Sequence, residues 1–197
     1  DNLPDPEIKL PGDNFNTLLY DDGAGAKTGL GFQPDVVWVK ARGDTESHRL
    51  TDSVRGVEKP LCPNNAGVEL TEDQGLLAFG TDGFTVGTDD HYDNTDGSGM
   101  ASWSWKAGGA STVTNNDGTT ESEVSANTTA GFSIVSYTGT GSATTIGHGL
   151  SSAPTFVITK SRDAEDNWAV GILATGIDFT DRMLLNSDSA VDDNIAF

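Results

Sequence analysis

One stretch of this chain occurs twice, and it limits the possible folds more than any other feature. The first copy reads Gly29-Leu30-Gly31-Phe32-Gln33-Pro34-Asp35-Val36-Val37-Trp38-Val39-Lys40-Ala41-Arg42. The second reads Gly147-His148-Gly149-Leu150-Ser151-Ser152-Ala153-Pro154-Thr155-Phe156-Val157-Ile158-Thr159-Lys160-Ser161-Arg162. Each holds Gly-x-Gly-apolar, a proline, a β-branched and aromatic run, then Lys-x-Arg. Pro34 and Pro154 lie 120 positions apart, but Gly29 and Gly147 lie 118 apart. The second copy therefore carries two extra residues before its proline, and a longer turn is expected at Ser151-Ser152.

The match extends upstream. Phe15-Asn16-Thr17-Leu18-Leu19-Tyr20 aligns with Phe132-Ser133-Ile134-Val135-Ser136-Tyr137 at an offset of 117. Each is followed by a short glycine-rich turn, Asp21 to Gly25 or Thr138 to Gly141. Strand, turn, glycine signal and apolar strand, in that order twice, make a duplicated β-unit. Two copies are too few for a solenoid, which takes at least about three repeats. They read as two similar modules or as two halves of one sandwich.

Composition agrees with short strands and many turns. Glycine accounts for 24 of 197 residues, and 22 of the 30 acidic residues are Asp rather than Glu. Asp favours turns, whereas Glu favours helices. The net charge of −19 repels phosphate backbones and argues against a nucleic-acid partner. No stretch approaches the roughly 20 apolar residues of a membrane span. The single cysteine, Cys62, has no partner for an internal disulfide. Asp1 opens the chain without methionine or a signal-peptide pattern, as processing or a fragment of a longer protein would explain.

In chain order, residues 1–12 carry Pro4, Pro6 and Pro11 and read as an extended linker or strap. Residues 13–109 read as a first β-sandwich repeat. Its strands are expected at Phe15 to Tyr20, Asp35 to Ala41, Leu76 to Phe79, Gly83 to Gly87 and Met100 to Ala107. Residues 110–126 are polar, offer almost nothing to bury, and read as a linker. Residues 127–197 read as a second repeat. They contain no match to Gly83–Val86 or Met100–Ala107, so this repeat is expected to be incomplete at its C-terminal side.

Three places invite a chemical reading. Asp89, Asp90, Asp93 and Asp96 lie in the densest run of oxygen ligands and form a candidate calcium loop, calcium taking 6–8 such oxygens. The competing reading is a solvated acidic turn. His91, Tyr92, Trp103 and Trp105 lie in and beside that loop and form a candidate carbohydrate site, aromatic rings offering faces to sugars. Against this, alternating tryptophans on a strand are commonly core, and Trp38 and Trp168 take the core reading too. Lys40 with Arg42, and Lys160 with Arg162, read as solvated caps at the strand exits. Histidines at positions 48, 91 and 148 show no metal-ligand spacing and no adjoining nucleophile motif. The acids lie in turns rather than alternating on a strand, unlike the paired carboxylates of sandwich glycosidases. No catalytic residue is assigned, and a non-enzymatic protein is expected.

Several motifs together carry a family resemblance. They are Phe32-Gln33-Pro34-Asp35-Val36-Val37-Trp38-Val39-Lys40, Ser47-His48-Arg49-Leu50, Asp52-Ser53-Val54-Arg55-Gly56, Asp82-Gly83-Phe84-Thr85-Val86-Gly87 and Trp103-Ser104-Trp105-Lys106-Ala107-Gly108-Gly109. These resemble repeats in virion-associated, tail-fibre-like structural proteins of tailed phages, marine phages included. Ser125 to Val135 resembles the opening of a next repeat there. Asn2 to Ile8 resembles the junction that follows a SPRY-like domain in longer members. The resemblance implies tandem, all-β, antiparallel sandwich units of jelly-roll or concanavalin-like type. It also implies a place on the virion surface, outside the cell, with other virion subunits or further copies as partners and a surface glycan or receptor as a further contact. The runner-up reading is a carbohydrate-binding, lectin-like module, and the third a glycan-degrading enzyme.

Overall fold

The computed structural model describes residues 10–109, 111–174 and 178–193. Of the proline-bearing strap, residues 1–9 lie outside the described part, and Pro11–Asp13 forms one 3-10 turn. Among the described residues no helix is long and apolar enough to cross a membrane.

The fold is all-β and antiparallel, in the manner of a β-sandwich. The first sheet contains β1 (Phe15–Tyr20), β3 (Val36–Ala41), β4 (Arg49–Asp52) and β7 (Met100–Trp105), in the spatial order β1-β7-β3-β4. The second contains β2 (Gly25–Thr28), β5 (Leu76–Gly80) and β6 (Gly83–Val86), in the order β2-β6-β5. Side-chain alternation sets what each face buries. On β3, Val37, Val39 and Ala41 point inward and are buried, while Trp38 and Lys40 point outward. Across the interior they join Leu76, Phe84, Val86, Leu30, Phe32, Met100 and Tyr92 in one core, with Leu18 and Tyr20 of β1 against it.

Two buried acids hold the corners of these two sheets. Asp35 is fully buried, and its carboxylate accepts bonds from Ser53 Oγ (2.8 Å), the Ala107 amide (2.7 Å) and the Gly109 amide (3.1 Å). It ties the start of β3 to the exit of β7. Asp52 accepts from Arg55 Nε at 2.6 Å and from two backbone amides of the turn that follows β4. Asp82 accepts bonds from the Gly29 and Gly31 amides at 3.2 and 2.6 Å, so it grips the glycine signal of the first repeat copy. Gly31 sits at φ +85°, in the region open to glycine at little cost.

A third sheet has the order β10-β9-β8, from β8 (Val113–Asn115), β9 (Ser122–Asn127) and β10 (Phe132–Tyr137). A fourth has the order β11-β12-β13-β14, from β11 (Phe156–Thr159), β12 (Ala169–Ile172), β13 (Asp181–Leu184) and β14 (Asp192–Asp193). The third sheet corrects one sequence expectation, because residues 110–126 contain β8 and most of β9 instead of a structureless linker. What β9 buries is mostly small and polar, so hydropathy gave no sign of it. Ser122 Oγ donates to the Gly147 carbonyl (2.9 Å), and Ser125 Oγ accepts from the Gly108 amide (3.0 Å).

The two copies of the repeated stretch also share local bonds. Lys40 Nζ donates to the carbonyls of Ala41 (2.6 Å) and Asp44 (2.8 Å). Lys160 Nζ donates to those of Ser161 (2.7 Å) and Ala164 (3.1 Å). Asn64 Oδ1 accepts the His48 amide at 3.1 Å, and Asn186 Oδ1 accepts the Trp168 amide at 2.9 Å. Leu50 bridges Leu61, and Val170, 120 positions after Leu50, pairs with Met183, 122 positions after Leu61.

Candidate functional site

Period-two alternation builds an aromatic shelf on the outer face of the first sheet. Trp103 stands directly opposite Trp38 on β3, and Trp105 stands opposite Phe15 on β1. The Trp38 and Trp103 rings meet edge to face with centroids 6.2 Å apart. Phe15 leans on Trp105 at 4.9 Å, and Phe132 of β10 stacks over Trp105 at 6.3 Å. Trp38, Trp103, Trp105 and His48 surround an open cavity of about 220 Å³. Beside it, Trp38, His48, Pro63, Asn64 and Leu185 line a second of about 140 Å³.

His48 fixes the chemistry of the shelf. Trp38 Nε1 donates to His48 Nδ1 at 2.9 Å, so that ring nitrogen carries a lone pair and the proton is on Nε2. Burial pushes the His48 pKa down, and the nearby Lys40 charge adds to the shift. The ring is therefore a neutral donor facing three half-buried tryptophans.

The three outward tryptophans overturn the core reading of Trp38, Trp103 and Trp105. The inward face of β7 belongs to Met100, Ser102 and Ser104, all buried. Serines there leave room for the opposite sheet, and the bulky partners of the alternation go outward. Trp168 does take the core role: it is 4% exposed, and its Nε1 donates to the Cys62 carbonyl at 2.9 Å.

Tyr92 is not part of the shelf. Its side chain is fully buried, and its hydroxyl shares a 2.8 Å hydrogen bond with Thr51 Oγ1. Burial raises its pKa strongly, so the phenol stays neutral, and its ring offers no face to a sugar. His91 lies elsewhere, clamped between Asp89 Oδ1 (2.9 Å to Nδ1) and Glu46 Oε2 (2.8 Å to Nε2).

The four candidate calcium ligands do not converge. Asp89 holds the amide and ring of His91, Asp93 caps the Gly23 amide, and Asp96 Oδ1 accepts the Ser98 amide at 2.8 Å. Asp90 is exposed. The Asp89 and Asp96 bonds are turn chemistry, in which Asp closes its own loop, and the Asp93 bond ties that loop to the turn after β1. The group that does gather is Glu72, Asp89 and His91. Within that group Arg49 pairs with Glu72 at 2.7 Å, and Asp89 holds His91.

Of the strand-exit cations, Arg162 is more than a solvated cap. Arg162 donates from Nε and Nη2 to Glu69, each at 2.8 Å, and Glu69 also takes Arg55 at 3.1 Å. Sequence gave no reason to pair Arg162 with an acid 93 positions away.

A family profile described as a domain of unknown function, DUF7483, matches residues 10–197. The chain belongs to the DUF7483 family. No curated protein and no solved structure matches it. Within this DUF7483 chain, the aromatic shelf and the Glu69 ion cluster are therefore read from geometry alone.

Proposed function

We propose that this DUF7483 chain is a non-enzymatic structural module of a phage virion, acting in assembly and display at the particle surface. In this reading it consists of two tandem, similar sandwich units of jelly-roll or concanavalin-like type. The observation that carries the proposal is how the two copies lock together. Glu69 lies between Arg55 of the first and Arg162 of the second, and the Trp168 indole is buried against the Cys62 carbonyl. Phe132 stacks on Trp105, and Asn127 Nδ2 donates to Asn14 Oδ1 at 2.8 Å. Like units joined by buried contacts transmit position along an array, which suits a fibre or coat. The test is mass spectrometry and antibody labelling of purified particles from a phage encoding the chain. Labelling at a regular surface position is the expected result, and a chain found only in infected-cell lysate overturns the proposal.

A second reading, glycan contact, is favoured by the shelf. Trp38 and Trp103 present apolar rings beside the polar His48 and Asn64, the pairing that takes the CH face and hydroxyls of a pyranose. Glycan-array binding that is lost in Trp103→Ala, with melting unchanged, supports it. Equal binding by the variant removes it.

A further inference from the structure

Glu72, Asp89 and His91 come from two turns that the fold pins side by side. Glu72 opens the turn before β5, where its carbonyl accepts the Gly75 amide at 3.1 Å. Asp89 opens the turn after β6, where its carbonyl accepts the Tyr92 amide at 2.9 Å and the Asp93 amide at 2.8 Å. The two turns are bonded to each other. The Asp89 amide donates to the Gln74 carbonyl (3.0 Å), and the Gly87 amide donates to the Gly75 carbonyl (2.8 Å). Glycine permits this approach: a Cβ on Gly87 would lie 2.3 Å from the Gln74 carbonyl oxygen. Tyr92, fully buried, anchors the second turn to the core. The backbone therefore gathers three side chains before any ligand arrives. One ligand atom from each lies within 4.8 Å of the other two, and all three residues are half-buried.

The His91 ring is the decisive group. Its Nδ1 lies 2.9 Å from Asp89 Oδ1, and its Nε2 lies 2.8 Å from Glu46 Oε2. A neutral imidazole has one N–H, so it serves one of these carboxylates and turns a lone pair on the other. Two arrangements resolve that conflict: an imidazolium, or a metal ion on one side of the ring. Charge separates them. Glu46, Glu72 and Asp89 bring three carboxylates to the site, and Arg49, 2.7 Å from Glu72, brings one guanidinium. Around a neutral ring two negative charges remain. An imidazolium cancels one of them, and a divalent ion cancels both.

Glu46 supplies the outer support that such a site needs. A metal-ligating histidine donates its other ring N–H to a carboxylate or carbonyl, which fixes its tautomer and orientation. With the proton on Nε2 and given to Glu46, the Nδ1 lone pair is left on the side of Asp89. Two ligands about 2.1 Å from a zinc ion stand about 3 Å apart at a right angle, and Nδ1 and Asp89 Oδ1 are 2.9 Å apart. One nitrogen with two carboxylates is a donor set that suits zinc. Calcium takes 6–8 oxygens, more than these residues supply. Arg49 does not exclude the ion, since a carboxylate offers about four lone-pair sites and Arg49 Nε and Nη2 take only part of them.

We infer that Glu72, Asp89 and His91 form a zinc site, with Nδ1 as the nitrogen ligand and Glu46 as the carboxylate that positions the ring. The ion ties the turn before β5 to the turn after β6, and through Glu46 it reaches the loop between β3 and β4. The inference goes beyond the virion and glycan readings and depends on neither, because none of these residues lines the aromatic shelf.

The test titrates zinc into the intact, chelator-stripped chain by calorimetry, with calcium and magnesium as comparisons. The expected result is one zinc per chain, bound roughly tenfold or more tightly than either comparison ion, and a melting temperature that rises with zinc. Glu46→Gln keeps an acceptor for Nε2 but removes the charge, and should weaken zinc binding roughly 10–100-fold. His91→Gln should abolish the tight site, whereas His48→Gln and His148→Gln should leave it intact. Nitrogen NMR of the His91 ring adds a readout that a folding defect does not imitate: zinc leaves a proton on Nε2 alone, and an imidazolium carries protons on both nitrogens. Four outcomes overturn the inference. They are no saturable binding at one equivalent, zinc affinity unchanged in His91→Gln and Glu46→Gln (an adventitious ion only), calcium bound as tightly as zinc, and a zinc-loaded chain whose His91 is protonated on both nitrogens.

Discussion

Arg162 grips the carboxylate of Glu69 with two hydrogen bonds of 2.8 Å, one from Nε and one from Nη2. The Glu69 amide in turn donates to the Arg162 carbonyl at 2.8 Å. Side chain and main chain therefore join the same two residues across 93 positions. Arg162 is largely exposed and Glu69 largely buried. Removing the exposed partner leaves Glu69 its bond from Arg55, so Arg162→Ala should cost about 1 kcal/mol. Glu69→Ala strips an acceptor from two arginines at once and should cost about 2–3 kcal/mol. Chemical denaturation of both variants checks the order, and equal costs would contradict it.

The same carboxylate gives the fold an acid limit. Burial alone would raise the Glu69 pKa, but hydrogen bonds from Arg162 and Arg55 outweigh it and hold the group below its ordinary 4.5. A depressed carboxylate contributes stability that is complete above its unfolded value and fades as pH falls through its folded one. Stability should therefore decline as pH drops below about 4.5. In Glu69→Gln that decline should be shallower, which melting curves from pH 6 to pH 3 would show.

Much of the fold was legible because its signals were strong and local. Phe15–Tyr20 is β1 as expected from its composition, and the turn between Leu76–Gly80 and Gly83–Val86 falls where the glycines stand. What escaped was set by tertiary position. Ser122 and Ser125 are buried through their hydroxyl bonds, so β9 looks like a linker in any hydropathy reading. Trp103 and Trp105 alternate correctly, but alternation fixes two faces without saying which one meets the core. Tyr92 and Asp93 follow one another in a polar run, yet both are buried because the loop folds back under β4 and β1. His48 stands in a motif of the family resemblance, but its place on the shelf had no sequence signal, since that depends on Trp38 from the neighbouring strand.

Trp168 should be the costliest single truncation in the last two sheets. It is 4% exposed, and its indole bonds the Cys62 carbonyl. Trp168→Ala should cost about 3–5 kcal/mol through the cavity it leaves. Trp168→Phe keeps most of the volume but strands the carbonyl, and should cost about 1–3 kcal/mol. Burial also raises the Cys62 thiol pKa, so Cys62 should react slowly with alkylating reagents in the native protein. In Trp168→Ala that reaction should accelerate, a readout independent of melting.

His48 makes the shelf sensitive to pH. Its Nδ1 accepts the hydrogen bond that Trp38 Nε1 donates, so protonating that nitrogen breaks the bond. Its folded pKa lies below the ordinary 6.5, chiefly through burial. Stability from the neutral ring is present above 6.5 and is lost as pH falls through the lower folded value. Tryptophan fluorescence should change over that interval, and His48→Gln should abolish the change while leaving the Glu69 transition in place.

Tyr92 and Trp103 separate the core from the shelf most directly, because both were sequence candidates for one sugar site. Tyr92→Phe removes a hydroxyl whose partner, Thr51 Oγ1, is itself fully buried. The stranded hydroxyl should cost about 1–2 kcal/mol, with the shelf untouched. Trp103 is half-buried on the outer face, against Trp38. Its loss to Ala removes one wall of the 220 Å³ cavity without opening the core, so the melting temperature should move little. Any glycan or apolar probe seated on the shelf should then lose affinity by roughly tenfold or more, the penalty expected when an aromatic anchor is truncated. The two variants should thus have opposite profiles, stability lost in one and binding lost in the other. A Tyr92→Phe protein that melts normally but no longer binds would place the tyrosine at the ligand and return the site to the acidic loop.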